Sequence, residues 1–398
     1  MNAKMMHGFP ADPADQVTLG NWRKPPFNRW SFSHSRELVP AAPIWNDPGP
    51  ARPLPEGPTS DLSGVTVQDG GRSLTVGEWL GATHTDALVI LHKGHIVFEH
   101  YVGETTSRTP HILMSVSKSI VGLIAGILAA QGLLDPSAPV TAVIPEVAGT
   151  AYDSATLRDL LDMRVGVLFD ENYHASGGPI IEYRKAQGWD PLEVGEEPSD
   201  LRSFYRLLSG RDGAHNDRFH YVSPNTDLLG WAIERLSGRR FADLASELLW
   251  VPIGAEFDAY ITVDRLGAPR CAGGINTTAR DLARVARLFV TGGAVDGRQV
   301  VPAAWIDDIR TAGDRDAWSR GDFDALFGGK PMHYRSKWYV EHGPHPMVFA
   351  VGVFGQNVFV EPESDLVIAK FSSQPLPLDP GFGALTHAGI DALRAALR

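Results

Sequence analysis

Short apolar segments separated by turn residues occupy both ends of the chain. Near the start, TDALVILH and HIVFEHY, residues 85–92 and 95–101, are joined only by Lys93 and Gly94. Two apolar segments with so short a connection predict an antiparallel hairpin with a tight turn. Near the end, MVFAVGVF, QNVFVEP and DLVIAKFSS predict a three-stranded antiparallel meander. Because helical patterns lie between these segments, we expect the two chain ends to build one sheet.

Helical spacing of apolar residues dominates the rest of the chain. The stretch from Ser115 to Gln131 is largely apolar and precedes Gly132, a typical residue after a helix end. Between about residues 140 and 270, SATLRDLLDM, NTDLLGWAIERLSG and FADLASELLW alternate with loops rich in glycine, proline and aspartate. TTARDLARVARLFVTGG and ALTHAGIDALRAALR predict two later helices. The pattern therefore predicts an α/β (α+β) fold, with an antiparallel sheet flanked by helices and a second, mostly helical lobe.

Proline spacing separates an N-terminal segment from this body. Nine of the 29 prolines lie between Pro25 and Pro58, a density that disfavours helix interiors and sheet ladders. The expected parts are an extended arm at residues 1–60, an α/β domain with the antiparallel sheet at residues 61–140 and 271–398, and a mostly helical lobe at residues 141–270. Ligand clefts favour the boundary between such lobes.

Composition narrows the classes of function. Of 398 residues, 43% are hydrophobic and 21% are charged, which indicates a globular protein with a substantial core. The formal net charge of −11 opposes binding to nucleic acid or to anionic membranes. The N-terminus lacks the apolar core of a signal peptide, no later segment is long and apolar enough to span a bilayer, and Cys271 is the only cysteine. We therefore expect a cytoplasmic protein without disulfides.

A serine and a lysine stand at the predicted start of the long helix, in HILMSVSKSIVGLIAG. Residues three apart share a helical face, so Lys118 should reach the Ser115 hydroxyl. A helix N-terminus supplies free backbone N–H groups and a positive dipole end, which suit the stabilisation of an oxyanion. Lysine acts as a base only when its amine is neutral, which burial or a neighbouring cation allows. The simpler alternative is a capping serine followed by a lysine whose ammonium reaches solvent.

Tyr221 precedes another predicted helix, in FHYVSPNTDLLGWAIE. A tyrosine there can relay protons between a nucleophile and a leaving group, provided that Lys118 lowers its pKa. Taken alone, such a tyrosine is more often an ordinary packed residue with a hydrogen-bonded hydroxyl. Its combination with S-x-x-K favours the catalytic interpretation.

The order of these motifs resembles the serine β-lactamase and penicillin-recognising superfamily, which pairs S-x-x-K with an S-x-N or Y-x-N element and a K-T-G element on a late strand. SVSK at 115–118 and YVS at 221–223 correspond to the first two elements. NRWSFSH, LLDM, YVSPNTD, TTARDLARV and GQNVFVEPESDLVIAKFSS are similar to the nylon-oligomer (6-aminohexanoate-dimer) hydrolases and related esterases of this superfamily. The resemblance extends over nearly the whole chain.

The resemblance implies a role for each corresponding residue. Ser115 would be the nucleophile, Lys118 its general base and Tyr221 the proton shuttle to the leaving group. The K-T-G position falls on the Ala-Val-Gly sequence at 350–352, so the cation that would hold a β-lactam carboxylate is missing. The backbone N–H groups of Ser115 and Val353 are expected to form the oxyanion hole.

Substrate contacts are also implied by the resemblance. Ser223 occupies the third position of the Y-x-N element, where a hydroxyl replaces the usual amide and makes β-lactam recognition less expected. Tyr173 is expected over the cleft and Glu171 near the substrate, where a hydroxyl can steady an amide nitrogen and a carboxylate can meet an amine. Trp338 and Tyr339 are expected to form an aromatic wall on the other side. Taken alone, each is better explained as a loop anchor or a solvated charge.

Together these observations predict a serine hydrolase that cleaves ester or linear amide bonds of small molecules through an acyl-enzyme. Short acyl esters rank first as substrates, followed by linear 6-aminohexanoate amides, D-alanyl-D-alanine peptides and β-lactams. A non-catalytic scaffold with the same fold is the alternative from another class. No cofactor is expected, and no metal, because the histidine spacings fit no ligand pattern. The resemblance also implies a homodimer.

Overall fold

A seven-stranded antiparallel sheet forms the centre of the computed structural model, which describes residues 5–47, 49 and 52–398. Residues 1–4, 48, 50 and 51, all in the predicted arm, lie outside the described residues. The strands, numbered in chain order, are β1 (Ala41–Ile44), β2 (Thr66–Asp69), β3 (Arg72–Thr75), β4 (Thr85–His92), β5 (His95–Tyr101), β6 (His111–Ile112), β7 (Ala259–Thr262), β8 (Ile275–Thr277), β9 (Ala294–Val295), β10 (Arg298–Gln299), β11 (Met332–Arg335), β12 (Trp338–Glu341), β13 (Met347–Gly352), β14 (Gln356–Glu361) and β15 (Leu366–Ser372).

Helices cover both faces of this sheet and fill the middle of the chain. The α-helices are α1 (Asn28–Ser31), α2 (Val76–Ala82), α3 (Val116–Ala130), α4 (Val140–Val143), α5 (Leu157–Leu161), α6 (Pro179–Ala186), α7 (Leu201–Phe204), α8 (Pro224–Ser237), α9 (Phe241–Ala245), α10 (Ala279–Arg287), α11 (Ala303–Thr311), α12 (Arg315–Ser319) and α13 (Pro380–Leu397). A π-helical turn, Ser246–Trp250, continues α9. Short 3₁₀ segments are Pro13–Asp15, Ser35–Glu37, Pro145–Val147, Tyr205–Leu207, Val353–Gly355 and Pro362–Ser364.

The two ends of the chain meet in the central sheet, as predicted. Its strand order is β11-β12-β13-β14-β15-β4-β5, and β15 pairs antiparallel with β4. The predicted hairpin is confirmed, because β4 and β5 pair directly and their two-residue turn has positive φ at Lys93 (51°) and Gly94 (78°). Positive φ at both central residues is the geometry that suits the right-handed twist of paired strands.

Alternate residues of each central strand face opposite helical layers. In β4, Val89 and Leu91 belong to the same apolar cluster as α3 and α10, whereas Leu88 and Ile90 belong to the cluster with α13 and Trp79 of α2. Because helices cover both faces, both sets of side chains are buried. The continuous apolar sequence of β4 follows from this three-layer arrangement, and the predicted fold class is confirmed.

The sequence patterns did not predict several short strands. The meander has five strands instead of three, because β11 and β12 precede it with only four residues each and with polar residues among them. A second sheet, in the order β1-β7-β8-β6, joins strands of two to four residues from distant parts of the chain. Segments so short carry too few alternating positions to reveal a strand period.

The N-terminal arm is less extended than predicted. It contains α1 and two 3₁₀ turns, and β1 pairs with β7. Trp22 and Phe32 are almost completely buried and pack in one cluster with Met114, Trp189 and Phe354. The proline density that suggested extension is greatest after residue 40, which leaves the segment around Asn28–Ser31 free to form a helical turn.

The two buried helices α3 and α8 pack against each other and begin in the same region of the molecule. Helix α3 follows the prediction closely and is succeeded by Gly132 with a φ of 72°. Its Gly122 allows a very close approach of another segment, since a Cβ there would lie 2.1 Å from the Ser336 carbonyl oxygen. Helix α8 packs against α3 and begins just after Tyr221 and Ser223. None of the helices in the described part of the chain has the length and apolar character needed to cross a bilayer.

Candidate active site

A cleft of about 480 Å³ lies where α3 begins, β13 ends and α13 crosses the sheet. Ser115, Tyr173, Tyr221 and Tyr339 line it, together with the backbone of Gly352 and Val353. The outer wall is mainly apolar and includes Phe323, Leu326, Phe327, Pro377 and Leu378. A largely apolar cleft with a few convergent polar groups is typical of a small-molecule site.

Ser115 stands at the N-terminus of α3 but does not cap it. Its backbone is helical, with φ −65° and ψ −12°, and its side chain makes no capping hydrogen bond. The hydroxyl oxygen instead accepts a hydrogen bond from the Lys118 amine, with 2.8 Å between Oγ and Nζ. The simpler interpretation as a helix cap is therefore wrong for this serine.

Lys118 is held inside the protein and does not extend into solvent. It is 1% exposed, and its amine also donates to the Ala272 carbonyl oxygen at 2.7 Å. Burial lowers the pKa of Lys118 to about 7; the Glu171 carboxylate acts against this shift, and the nearby Arg270 guanidinium adds to it. A lysine with this pKa is neutral in a large fraction of molecules near neutral pH and can accept a proton from the serine.

The backbone N–H of Ala272, the residue whose carbonyl accepts from Lys118, is held by a buried ion pair. The Asp227 carboxylate accepts a hydrogen bond from the Ala272 N–H at 2.8 Å and another from the Arg270 guanidinium at 2.6 Å. Tyr183 donates its hydroxyl to the same carboxylate. Asp227 lies one turn inside α8, so this network fixes the lysine environment from a second helix. Sequence reasoning missed Asp227, although it is the last residue of the quoted motif YVSPNTD.

The backbone around Ser115 is unusually close to the end of β13. A Cβ on Gly352 would lie 2.8 Å from the Leu113 carbonyl oxygen and 2.9 Å from the Ser115 nitrogen. The φ of Gly352 is −134°, which any residue adopts, so glycine is required here by space alone. Met114 (φ 46°) and Phe354 (φ 64°) are left-handed residues flanking this contact. Such strained non-glycine conformations are concentrated at functional sites.

Tyr221 packs beside both residues of the pair. The Lys118 nitrogen lies 5.0 Å from the centre of its ring, and Phe323 packs on the ring at 4.9 Å between centroids. Its backbone N–H donates to Asp322 at 2.9 Å, a contact that sequence reasoning did not find. The expectation that Lys118 lowers the pKa of this tyrosine is wrong. Burial raises the pKa of Tyr221, and the Glu171 charge adds to the increase, while the Ser115 hydroxyl and the Arg270 guanidinium oppose it.

Glu171 and Ser223 are hydrogen-bonded to each other and do not line the cleft. The Glu171 carboxylate accepts hydrogen bonds from the Ser223 N–H, the Ser223 hydroxyl and the Tyr173 hydroxyl. Neither Glu171 nor Ser223 lines the cleft around Ser115, and Ser223 is 2% exposed. The expected direct contacts of these two residues with substrate in that cleft are therefore corrected. Tyr173 does line the cleft, oriented by Glu171.

Trp338 and Tyr339 lie on opposite faces of the sheet. Both belong to β12, where successive side chains alternate in direction. Tyr339 faces the cleft, and its hydroxyl has no hydrogen-bond partner among the described residues. Trp338 points into the core beside α3, where its indole N–H donates to the Ser119 carbonyl oxygen and its ring packs on Phe289. The predicted aromatic wall thus includes Tyr339 but not Trp338.

The arrangement provides the chemistry of acyl transfer. It combines a hydroxyl, a buried amine with a lowered pKa, a neutral phenol and a strained backbone segment at a helix N-terminus. Among the residues that the structure describes, no group of three or more His, Cys, Asp or Glu side chains is placed to hold a metal ion.

Comparison with known proteins defines the class to which this site belongs. The Beta-lactamase family matches residues 79–390, most of the chain. The chain therefore belongs to the β-lactamase family, whose fold it shares, and it is a serine hydrolase that acts on amide or ester bonds. The family predicted from the motifs is confirmed.

Individual relatives show which members of the family the chain is similar to. The chain is 34% identical over 369 residues to 6-aminohexanoate-dimer hydrolase of Paenarthrobacter ureafaciens, covering 93% of this chain and 91% of the relative. A solved structure from Bacillus anthracis, suggested to be a 6-aminohexanoate-dimer hydrolase, has a TM-score of 0.86 and 25% identity, covering 97% of this chain and 98% of that one. EstCE1, a hydrolase with promiscuous acyltransferase activity, shares the fold with a TM-score of 0.58 at 17% identity, covering 80% of this chain and 98% of its own.

Proposed function

We propose that the protein is a carboxylesterase or linear amidase in which Ser115 forms an acyl-enzyme. The observation that carries this proposal is the 2.8 Å hydrogen bond between Ser115 Oγ and Lys118 Nζ, made by an amine with a pKa of about 7. Ser115 Oγ attacks the substrate carbonyl carbon while Lys118 accepts the hydroxyl proton. The resulting oxyanion is stabilised by the backbone N–H groups of Ser115 and Val353.

Collapse of this intermediate breaks the ester C–O or amide C–N bond. Tyr221 donates its phenolic proton to the leaving oxygen or nitrogen and is reprotonated from the Lys118 ammonium, so no net charge builds up. Its raised pKa supports a role as a proton donor that is neutral before the step. A water molecule then attacks the acyl carbon while Lys118 accepts its proton. The bond between the acyl carbon and Ser115 Oγ breaks, Lys118 returns the proton to Oγ, and the carboxylic acid leaves.

Short acyl esters are the first substrate class of this proposal. The apolar walls of the cleft and the missing cation at the K-T-G position support esters over penicillins. Linear 6-aminohexanoate amides are the second class, favoured by the 34% identity to a 6-aminohexanoate-dimer hydrolase over most of both chains. A cytoplasmic homodimer is also proposed, on the single cysteine and on the family resemblance. Size-exclusion chromatography with light scattering tests the dimer.

The test of the function offers p-nitrophenyl acetate and the linear 6-aminohexanoate dimer side by side to wild type and to Ser115→Ala. We expect ester turnover, labelling of the wild type by a fluorophosphonate probe, and loss of both in the variant. Ester turnover without dimer cleavage would remove the linear-amide class and leave the esterase. An inert wild type that the fluorophosphonate does not label would contradict the proposal and favour a non-catalytic scaffold.

A further inference from the structure

A second pocket of about 410 Å³ adjoins the cleft that contains Ser115. Tyr173, Val353 and Pro377 line both cavities and form the boundary between them. Val353, a proposed oxyanion-hole residue, therefore lies between the cleft and the second pocket. A substrate whose carbonyl lies beside Val353 can extend one part into the mainly apolar cleft and the other into the second pocket.

The second pocket differs from the cleft in its charge. Five cationic side chains line it against three carboxylates, although the whole chain carries a formal net charge of −11. The cations are Arg23, Lys24, Arg184, Lys185 and Arg270, and the carboxylates are Glu171, Asp190 and Glu193. Lys185 and Arg270 are paired with Glu196 and Asp227, which do not line the pocket, so any attraction for an anionic ligand comes from the lining cations that have no such partner.

Arg184 is the half-buried lining cation that remains available for a ligand; Lys24, which also has no carboxylate within 4.0 Å among the described residues, is exposed. Arg270 is paired with Asp227, Lys185 with Glu196, and Arg23 with Asp190. Half-buried Arg184 donates one hydrogen bond to the Tyr173 carbonyl oxygen at 2.9 Å and has no carboxylate within 4.0 Å among the described residues. A guanidinium offers five N–H donors in a planar fork that suits a carboxylate.

Gln187 gives independent evidence that the pocket takes a polar ligand. It lines the pocket and is 1% exposed, yet neither its amide oxygen nor its amide nitrogen has a hydrogen-bond partner in the described part of the chain. A buried amide without partners is costly, and such groups in native proteins call for an explanation. The cations of the pocket also affect one another. Burial lowers the pKa of Arg23 to about 10, and the Asp190 carboxylate opposes this decrease. The charges of Arg184 and Arg270 lower the pKa of Arg23 further.

We propose that the second pocket binds the carboxylate end of the substrate, with the Arg184 guanidinium as its ionic partner and the Gln187 amide as a hydrogen-bond donor. The inference rests on the proposed esterase or amidase function and specifies its substrate class. Preferred substrates carry an apolar group for the cleft and a carboxylate several bonds from the scissile carbonyl. An ammonium group in the same place would meet Arg184 and bind less well.

Two matched ester series test this preference, since either side of the scissile bond can enter the second pocket. The first compares the p-nitrophenyl esters of adipate (mono-ester), hexanoate and 6-aminohexanoate. The second compares butyrate esters of 6-hydroxyhexanoate, hexanol and 6-aminohexanol. In one series we expect kcat/KM for the carboxylate substrate to exceed that for the ammonium substrate by about 30-fold, with the neutral substrate between them.

Variants assign that preference to the pocket. Arg184→Gln should reduce the carboxylate-to-ammonium ratio by about tenfold, a ratio that a purely structural shift of the Tyr173 loop would not change. Gln187→Met should lower the same ratio while the melting temperature stays equal or increases, because an unpartnered buried amide is removed. Arg239→Gln, at an exposed ion pair with Glu247, is the matched control and should change neither the carboxylate-to-ammonium ratio nor the melting temperature. Equal turnover of the three charge types in both series would overturn the inference and leave the esterase intact.

A binding measurement keeps the test independent of turnover. Calorimetric titration of Ser115→Ala with adipate and with hexane-1,6-diammonium compares the two charges directly. Tighter binding of adipate, weakened by Arg184→Gln, supports the carboxylate pocket even if the wild type proves inert toward esters. Binding of the diammonium with equal or higher affinity would overturn it.

Discussion

The Lys118 amine and the Ser115 hydroxyl are joined by a 2.8 Å hydrogen bond, and the amine is almost completely enclosed by protein. Its second partner is a backbone carbonyl and not a carboxylate, so no direct ion pair holds the proton on the lysine. The amine therefore keeps a lowered pKa although Glu171 and Asp227 lie nearby. This relationship makes Lys118 the residue on which the proposed chemistry depends.

Replacing Lys118 separates its chemical role from its structural one. Lys118→Met keeps the length of the side chain and removes the base, so we expect kcat for p-nitrophenyl acetate to fall by about 10³-fold. At pH values below 7, Lys118→Met should be at least as stable as the wild type, because the wild-type native state must bury an ammonium there. The wild-type free energy of unfolding should increase as the pH rises from about 7 toward ~10.4, since the native pKa is below the unfolded one. Undiminished turnover in Lys118→Met would exclude the lysine as the base.

Tyr221→Phe tests proton donation to the leaving group. The variant keeps the ring that packs on Phe323 and beside Lys118, so the fold should be retained. Turnover of an alkyl ester, whose alkoxide needs a proton, should fall by about 10²-fold or more. Turnover of a p-nitrophenyl ester should fall much less, because p-nitrophenolate leaves without protonation. Equal losses for the two leaving groups would assign Tyr221 a positioning role instead.

Gly352→Ala tests the close approach of β13 to the nucleophile. The added methyl group would lie within 3 Å of the Leu113 oxygen and the Ser115 nitrogen, so the backbone must move at the place where the oxyanion hole is proposed. We expect kcat to fall by about 10²-fold or more, the range for loss of an oxyanion-hole donor. Gly81→Ala in α2, where a Cβ meets nothing within 4 Å, is the matched control and should keep full activity. An active Gly352→Ala enzyme would remove this segment from the mechanism.

The neighbouring aromatic residues of β12 should respond differently to substitution. Trp338→Phe removes a buried indole hydrogen bond and some core volume, so the free energy of unfolding should fall by about 1–3 kcal/mol with KM unchanged. Tyr339→Phe removes a cleft hydroxyl without a partner among the described residues, so stability should hold while KM changes. Both parameters can be measured by denaturant unfolding and ester kinetics. A change in KM in the tryptophan variant alone would contradict the assigned faces.

The sequence revealed the long elements and the core of the site for physical reasons. The β4–β5 hairpin and α3 have long apolar segments bounded by turn residues, so local patterns were sufficient. The serine and lysine share a helix, so their three-residue spacing already fixed their proximity. Tyr221 was found only through its motif, because its distance from Lys118 depends on how α8 packs against α3.

Contacts that depend on tertiary packing were not predictable from spacing. The direction of Trp338 depends on the register of β12, a four-residue strand without a clear period. The raised pKa of Tyr221 reflects burial, which the sequence does not give. Asp227, Arg270 and Ala272 meet only because β7, β8 and α8 converge, and the second pocket combines arm residues with α6.

The central claim, that a neutral Lys118 amine activates Ser115, is tested most directly by the pH dependence of kcat/KM for an uncharged ester between pH 5 and 9. Since Lys118 must lose its proton before it can act, the wild type should gain activity with pH and level off above a midpoint near the lysine pKa of about 7. Lys118→Arg, whose guanidinium remains charged, should show no such rise and little activity. A flat wild-type profile, or a rate that climbs only toward ~10, the ordinary range of lysine, would contradict the account.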